Sequence, residues 1–239
     1  MRALSIGFAV VFPQLCSAEQ LVVGTEARFP PITFLDRDGA LVGRDKDIGD
    51  EICVRAEWEC EWIVTDFDAL LPGLESGRFD FVIAGLSASP DRAEIVDFTE
   101  PYHQPQDNIA YFVGLSGEIE VADATIAVQA QTTHSSFLEA QGFDVRPYSD
   151  CITALNAMIS GETDLYFGPG LFIQDMVEQG YDMLVANGRQ NVPSSGTAIA
   201  VAQDRDDLRE DLNAIIARMW EDGTMDLLHR KWAGNGTDT

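Results

Sequence analysis

Strand-like apolar runs alternate along the chain with segments whose apolar residues recur at helical spacing, which predicts an α/β protein with largely parallel sheets. Leu21-Val22-Val23-Gly24 reads as a first strand. Ile32 to Leu35 and Ala40 to Val42 flank Asp36-Arg37-Asp38-Gly39, whose Asp-Gly pair suits a tight hairpin turn. A calcium loop is set aside for these acids, because no ligand series continues to a bidentate Glu. Asp47 to Ala56 places Ile48, Ile52 and Cys53 on one helical face; Trp62-Ile63-Val64 forms a strand, and Ala69 to Leu74 a helix stopped by Ser76-Gly77.

Phe81-Val82-Ile83-Ala84 is a continuous apolar strand running into Gly85-Leu86-Ser87-Ala88-Ser89-Pro90. A helix is predicted to start there, with Ser89 as its N-cap and Pro90 as its first residue, because the leading amides of a helix lack intrahelical acceptors. The same grammar recurs in Thr125 to Val128, then Thr132-Thr133-His134-Ser135 and a helix from Ser136 to Ala140. Helix N-termini at the carboxyl ends of parallel strands suit an anionic group, through amide donors and the helix dipole. Neither the Gly-rich phosphate loop nor the dinucleotide fingerprint is present. No Gly-x-Ser-x-Gly elbow occurs, and His103, His134 and His229 have no nucleophile beside them in sequence.

Lys+Arg 15 against Asp+Glu 40 gives a formal net charge of −25, which excludes a bare nucleic-acid binder: phosphate backbones need a basic footprint. The acids are scattered, so the charge reads as solubility in a salty medium, with a cationic partner surface as the alternative. Residues 1–18 read as a secretory signal peptide, with Met1-Arg2, the apolar run Ala3 to Phe12, and small residues at Cys16-Ser17-Ala18 for cleavage before Glu19. A buried strand and a lipid anchor on Cys16 are the alternatives. Export allows thiols to pair, and the close spacing of Cys53 and Cys60 suits a local disulfide, two free buried thiols being the other reading. Cys151 reads as a small buried hydrophobe, and no His/Cys spacing supports a metal site.

The order of motifs strongly resembles the family 3 solute-binding proteins, the periplasmic receptors of polar amino-acid ABC importers. Gly24-Thr25-Glu26-Ala27-Arg28-Phe29-Pro30-Pro31 is similar to the opening strand and ligand loop, and Leu41-Val42-Gly43-Arg44-Asp45-Lys46-Asp47-Ile48 follows at the expected spacing. Arg44 and Lys46 stand where the family usually has apolar residues. Asp66 to Leu74, Gly77-Arg78-Phe79-Asp80, Gly85 to Arg92 and Val96 to Tyr102 continue the match, as do Gly196 to Val201, a helix over Asp206 to Glu221, and Lys231-Trp232-Ala233-Gly234. Cys53 and Cys60 coincide with the disulfide of the histidine and lysine/arginine/ornithine receptors.

The resemblance implies a two-lobed α/β fold of the type II periplasmic-binding class, with two hinge strands and the ligand cleft between the lobes. Lobe 1 would comprise residues 19–108 and 197–239, and lobe 2 residues 109–196, with crossings at Asp107 to Gly114 and Gly196 to Ala202. It implies that Arg92 pairs with a ligand carboxylate, since a guanidinium presents two parallel donors to two oxygens. Ser87 and the Gly85 amide would complete that cradle from lobe 1, and Thr132 and Thr133 would meet the carboxylate from lobe 2. Phe29 and Leu70 match apolar ligand contacts, each with a core role as the alternative. Glu26 aligns with the acid that meets a cationic side chain, His134 with a polar contact, and Gln131 stands where many relatives have Gly. Pro169 replaces the Asp that accepts an α-ammonium, so either another acid substitutes or the ligand lacks a free α-amine. The implied protein is a monomeric receptor, without cofactor, for a small carboxylate-bearing solute, delivering to a membrane permease. A cyclohexadienyl-dehydratase-like enzyme using Glu26 and His134 as proton donors, and a sensor input protein, are the alternatives.

Overall fold

The computed structural model describes residues 19–104 and 108–233. The expected signal peptide and Cys16 lie outside the described residues. The chain opens with β1 (Gln20–Thr25), followed by the short antiparallel strands β2 (Arg28–Phe29), β3 (Thr33–Leu35) and β4 (Leu41–Val42). The predicted hairpin turn is present. Gly39 takes φ 81, and the Asp36 carboxylate accepts from the amides of Asp38 and Ala40 at 2.9 Å each. Next come α1 (Arg44–Ala56), β5 (Glu59–Val64), α2 (Leu70–Glu75), β6 (Phe81–Val82), the single turn α3 (Pro90–Ala93) and β7 (Asp97–Phe98).

Helix α1 begins three residues earlier than its apolar face predicts. Gly43 caps it at φ 131, and a Cβ there would stand 2.3 Å from the Ile32 carbonyl oxygen, so the tight entry needs glycine. Asp45 and Asp47 occupy the first turn, where the helix dipole favours acids. At its far end Glu57 turns left-handed at φ 58, and Cys53 joins Cys60 of β5 in a disulfide with Cα atoms 6.2 Å apart. Closing so short a loop restricts the unfolded chain by about 2–3 kcal/mol on chain-entropy grounds. Reduction with dithiothreitol is expected to lower the unfolding free energy by that amount in urea melts; an unchanged midpoint would show that the bridge adds nothing.

The second half supplies β8 (Ile109–Gly114), β9 (Thr125–Gln129), α4 (Thr133–Gln141), β10 (Asp144–Tyr148), α5 (Cys151–Ile159), β11 (Leu165–Pro169), α6 (Gly170–Glu178) and β12 (Val185–Asn191). The chain then returns through β13 (Ala200–Val201), α7 (Asp206–Glu221) and α8 (Thr224–Trp232). Helix α4 starts earlier than predicted, because Thr132 and Ser135 form a reciprocal capping box.

The strands sort into two five-stranded sheets, ordered β5-β1-β6-β13-β7 and β10-β9-β11-β8-β12, which form the cores of two lobes. Alternate residues of a strand bury on opposite faces: Phe81 and Ile83 pack toward α1 and α7, while Val82 and Ala84 pack toward α2. In the second sheet Ala127 and Tyr166 face one core, and Ile126, Val128 and Phe167 the other. Burial on both faces explains why these strands read as unbroken apolar runs. The expected crossing segments lie mostly inside the sheets: β8 is hydrogen-bonded between β11 and β12, and β13 between β6 and β7. Their apolarity reflects their interior position in the sheets. Two pairings bring the outgoing and returning chain together beside them. His103 and Thr197 pair at one end, and the Val192 amide donates to the Asn108 carbonyl at 3.0 Å at the other.

Candidate functional site

A cavity of about 130 Å³ lies between the lobes and is lined from both. It has two chemically distinct poles. At the first, Ser89 caps α3 by accepting from the Arg92 amide, with Pro90 in the first turn as the local sequence predicts. That turn aims Arg92 across the cleft. One Arg92 terminal nitrogen donates to the Ser87 carbonyl and the other to the Gln131 carbonyl of the opposite lobe, both at 2.8 Å. Gln131 takes a left-handed φ of 58, the conformation that a glycine would adopt more readily. The guanidinium lies 5.5 Å above the Phe67 ring, and it forms no ion pair among the described residues. Two of its five N–H groups are used, so three remain for an acceptor. Burial lowers its pKa to about 10, which leaves it cationic at neutral pH.

Thr133 and His134 stand opposite on the first turn of α4. Thr133 lines the cavity with its hydroxyl and amide unbonded among the described residues. Burial, with Arg92 as a second cause, holds His134 down to about 4, so the ring is neutral at pH 7; its buried Nε2 has no partner among the described residues. Ser87 lines the same end, its carbonyl held by Arg92.

The second pole surrounds Glu26, which follows β1 and is 3% exposed. Gln129, at the end of β9, donates to Glu26 Oε2 at 3.4 Å, while Oε1 is buried without a partner among the described residues. The Cys151 thiol at the start of α5 donates to Gln129 Oε1 at 3.0 Å, and the Tyr166 hydroxyl is buried near that thiol with no partner within hydrogen-bond distance among the described residues. Burial chiefly raises Glu26 to about 8; Gln129 and Arg28 oppose the rise, and Asp150 and Asp45 add to it. Phe29 lines the wall here and packs on Phe172 of the other lobe at 6.2 Å. The lobes also meet through Arg28, whose Nε lies 2.9 Å from Asp150.

The profile of the bacterial extracellular solute-binding proteins, family 3, matches residues 21–235. The chain belongs to that family. It is 28% identical to the putative ABC transporter arginine-binding protein 2 of Escherichia coli K12, covering 97% of each chain, and 30% identical to the L-cystine-binding protein TcyJ of the same strain, covering 90% of this chain and 82% of that one. It is also similar to a crystal structure of a periplasmic His/Glu/Gln/Arg/opine family-binding protein from Silicibacter pomeroyi in complex with lysine. That match has 27% identity and a TM-score of 0.85, and covers 92% and 99% of the two chains.

Within this family 3 protein, several expected contacts are placed elsewhere. Leu70 is fully buried in the core with Leu74, Phe79 and Val82, and Phe67, three residues earlier, reaches the cavity instead. The Gly85 amide is engaged at 2.5 Å by Asp45, so it is not a free donor; Gly85 itself takes φ 63, and a Cβ there would meet Phe29 at 2.8 Å. The Thr132 hydroxyl accepts from the Ser135 amide and donates to the Gln129 carbonyl, leaving Thr133 as the uncommitted threonine. Cys151 packs in an apolar cluster as expected, yet its thiol is also part of the Glu26 pole. Pro169 lines the cavity as the N-cap of α6 and supplies no side-chain cap. Arg44, Phe67, His103, Gln129 and Tyr166 are lining residues that sequence reasoning did not assign. Of these, only Arg44 had a visible signal, a charge where the family is usually apolar.

Proposed function

We propose that this family 3 protein is the periplasmic capture component of an ABC importer, and that it encloses an amino acid or related small carboxylate-bearing solute between its lobes. The observation that carries the reading is Arg92: a cationic guanidinium lining the interlobe cavity, with free donors and no acid paired with it among the described residues. Water excluded on closure would otherwise weaken a carboxylate–guanidinium pair. Thr133, Ser87 and His134 supply further polar contacts at that end, and Phe29 and Phe67 the apolar walls. Glu26 receives a cationic group at the other end, in line with relatives named for arginine and a neighbour solved with lysine. The lobes divide at the paired passages, with residues 19–104 and 197–233 in one and 108–192 in the other. Rotation about these passages opens and closes the cleft, the closed form engages a membrane permease, and the protein works as a monomer with no cofactor.

A thermal-shift screen over L-arginine, L-lysine, L-glutamine and their deaminated analogues tests this. Selective binding raises the melting temperature by mass action. The expected result is a concentration-dependent rise with at least one cationic carboxylate and none with the matching amine that lacks the carboxylate. Equal response to both would contradict the reading.

Proton linkage provides a second check. With Glu26 near 8 in the folded chain and 4.5 ordinarily, the folded protein keeps a proton that the unfolded chain releases between those values. This group therefore destabilises the fold progressively as pH rises through that window, and fully above it. A ligand cation should displace the proton. Calorimetry in buffers of different ionisation enthalpy should show release of close to one proton per ligand at about pH 7, vanishing in Glu26→Gln. Identical apparent enthalpies in all buffers would exclude the contact.

A further inference from the structure

Glu26 is the only Asp or Glu lining the cavity among the described residues. Everything near the carboxylate pole is cationic, neutral or donor-rich: Arg92, the neutral His134 and the open first turn of α4. Elsewhere the cavity lining is no more hospitable to a positive charge. Pro169, Gly170 and Leu171 present the N-terminal end of the nine-residue α6, which lacks a side-chain cap and carries the positive end of its dipole. Arg44 stands on the same cavity wall, its side chain 5% exposed. Its Nε is held by Asp45 at 3.1 Å, and its terminal nitrogens have no hydrogen-bond partner among the described residues. Both Asp45 oxygens are already engaged, one by Arg44 and the other by the Gly85 amide and the Tyr102 hydroxyl. His103 is neutral as well, pushed down to about 3 by burial, then by Arg44 and His229.

An ammonium placed beside a carboxylate on Arg92 would thus leave water without a free counter-ion, since Glu26 is at the other pole and Asp45 is already committed to Arg44. A cation at the far end of the ligand would instead meet Glu26. Resting on the carboxylate-and-cation reading above, we propose that the cleft prefers solutes with one carboxylate and one distal cation and no ammonium next to the carboxylate, that is, ω-guanidino or ω-amino carboxylic acids over the corresponding α-amino acids. Arg44 and the start of α6 are the residues that enforce the choice.

The test is isothermal calorimetry on the mature chain with two matched pairs, δ-guanidinovalerate against L-arginine and ε-aminocaproate against L-lysine. In each pair the deaminated compound is expected to bind at least tenfold more tightly. Equal or tighter binding of the L-amino acids overturns the preference while leaving the capture reading intact; no heat from any of the four removes both. Pro169→Asp adds an acid at the N-cap of α6, a position where Asp suits a helix. That variant is expected to shift each ratio at least tenfold toward the amino acid, with the melting temperature checking its fold. Ratios unchanged in a folded variant would also overturn the assignment.

Discussion

Arg92→Ala is expected to weaken binding of the preferred carboxylate ligand by about 2–5 kcal/mol, the range for truncating one partner of a buried hydrogen-bonded charge pair. At 1.36 kcal/mol per decade this is about thirtyfold to several thousandfold in Kd. Arg92 binds two backbone carbonyls in the free protein and no acid, so its removal leaves no charge orphaned and the melting temperature of the empty protein should change little. Arg92→Lys keeps the charge and loses the planar fork, and should fall between. Calorimetric titration of the three proteins checks the order. Comparable affinity in Arg92→Ala would remove this residue from the site.

The second large effect concerns stability. Asp45 is fully buried and accepts from Arg44 Nε at 3.1 Å, the Tyr102 hydroxyl at 2.6 Å and the Gly85 amide. Replacing it with alanine leaves a guanidinium buried without its counter-ion and two further donors unsatisfied. Losing one member of a buried pair costs about 3–5 kcal/mol, and urea denaturation of Asp45→Ala should show a loss of that size. The double variant Arg44→Leu/Asp45→Ala should regain part of it, because the stranded charge is gone. A loss below about 1 kcal/mol in the single variant would place it at the level of an exposed ion pair and contradict the burial argument.

Much of the fold was legible because local rules and tertiary burial agree. The resemblance implies a helix over Asp206 to Glu221, and those are the bounds of α7. Ser89 and Pro90 announce α3 by capping chemistry alone. Prediction of the α4 start fails because its capping box closes with Ser135 and not with the longer Glu or Gln that marks such boxes in sequence. For Leu70 the resemblance leaves ligand contact and core both open; it lies in the core, while Phe67, in the 3₁₀ turn over Phe67–Ala69 that precedes α2, lines the cavity. The Glu26 pole draws on the residue after β1 and, more than a hundred residues later in the chain, on the end of β9 and the start of α5. No spacing rule joins Glu26, Gln129 and Cys151. Arg44 drew notice as a charge in an apolar position, but its burial against Asp45 depends on Tyr102 and Gly85 closing around that acid.

Crystallising the protein with the tightest ligand from the titrations tests the site most directly. The expected density lies in the interlobe cavity, with both carboxylate oxygens within about 3 Å of Arg92 nitrogens and the opposite end of the solute against Glu26. Ligand density outside that cavity, or a carboxylate turned away from Arg92, would contradict the account.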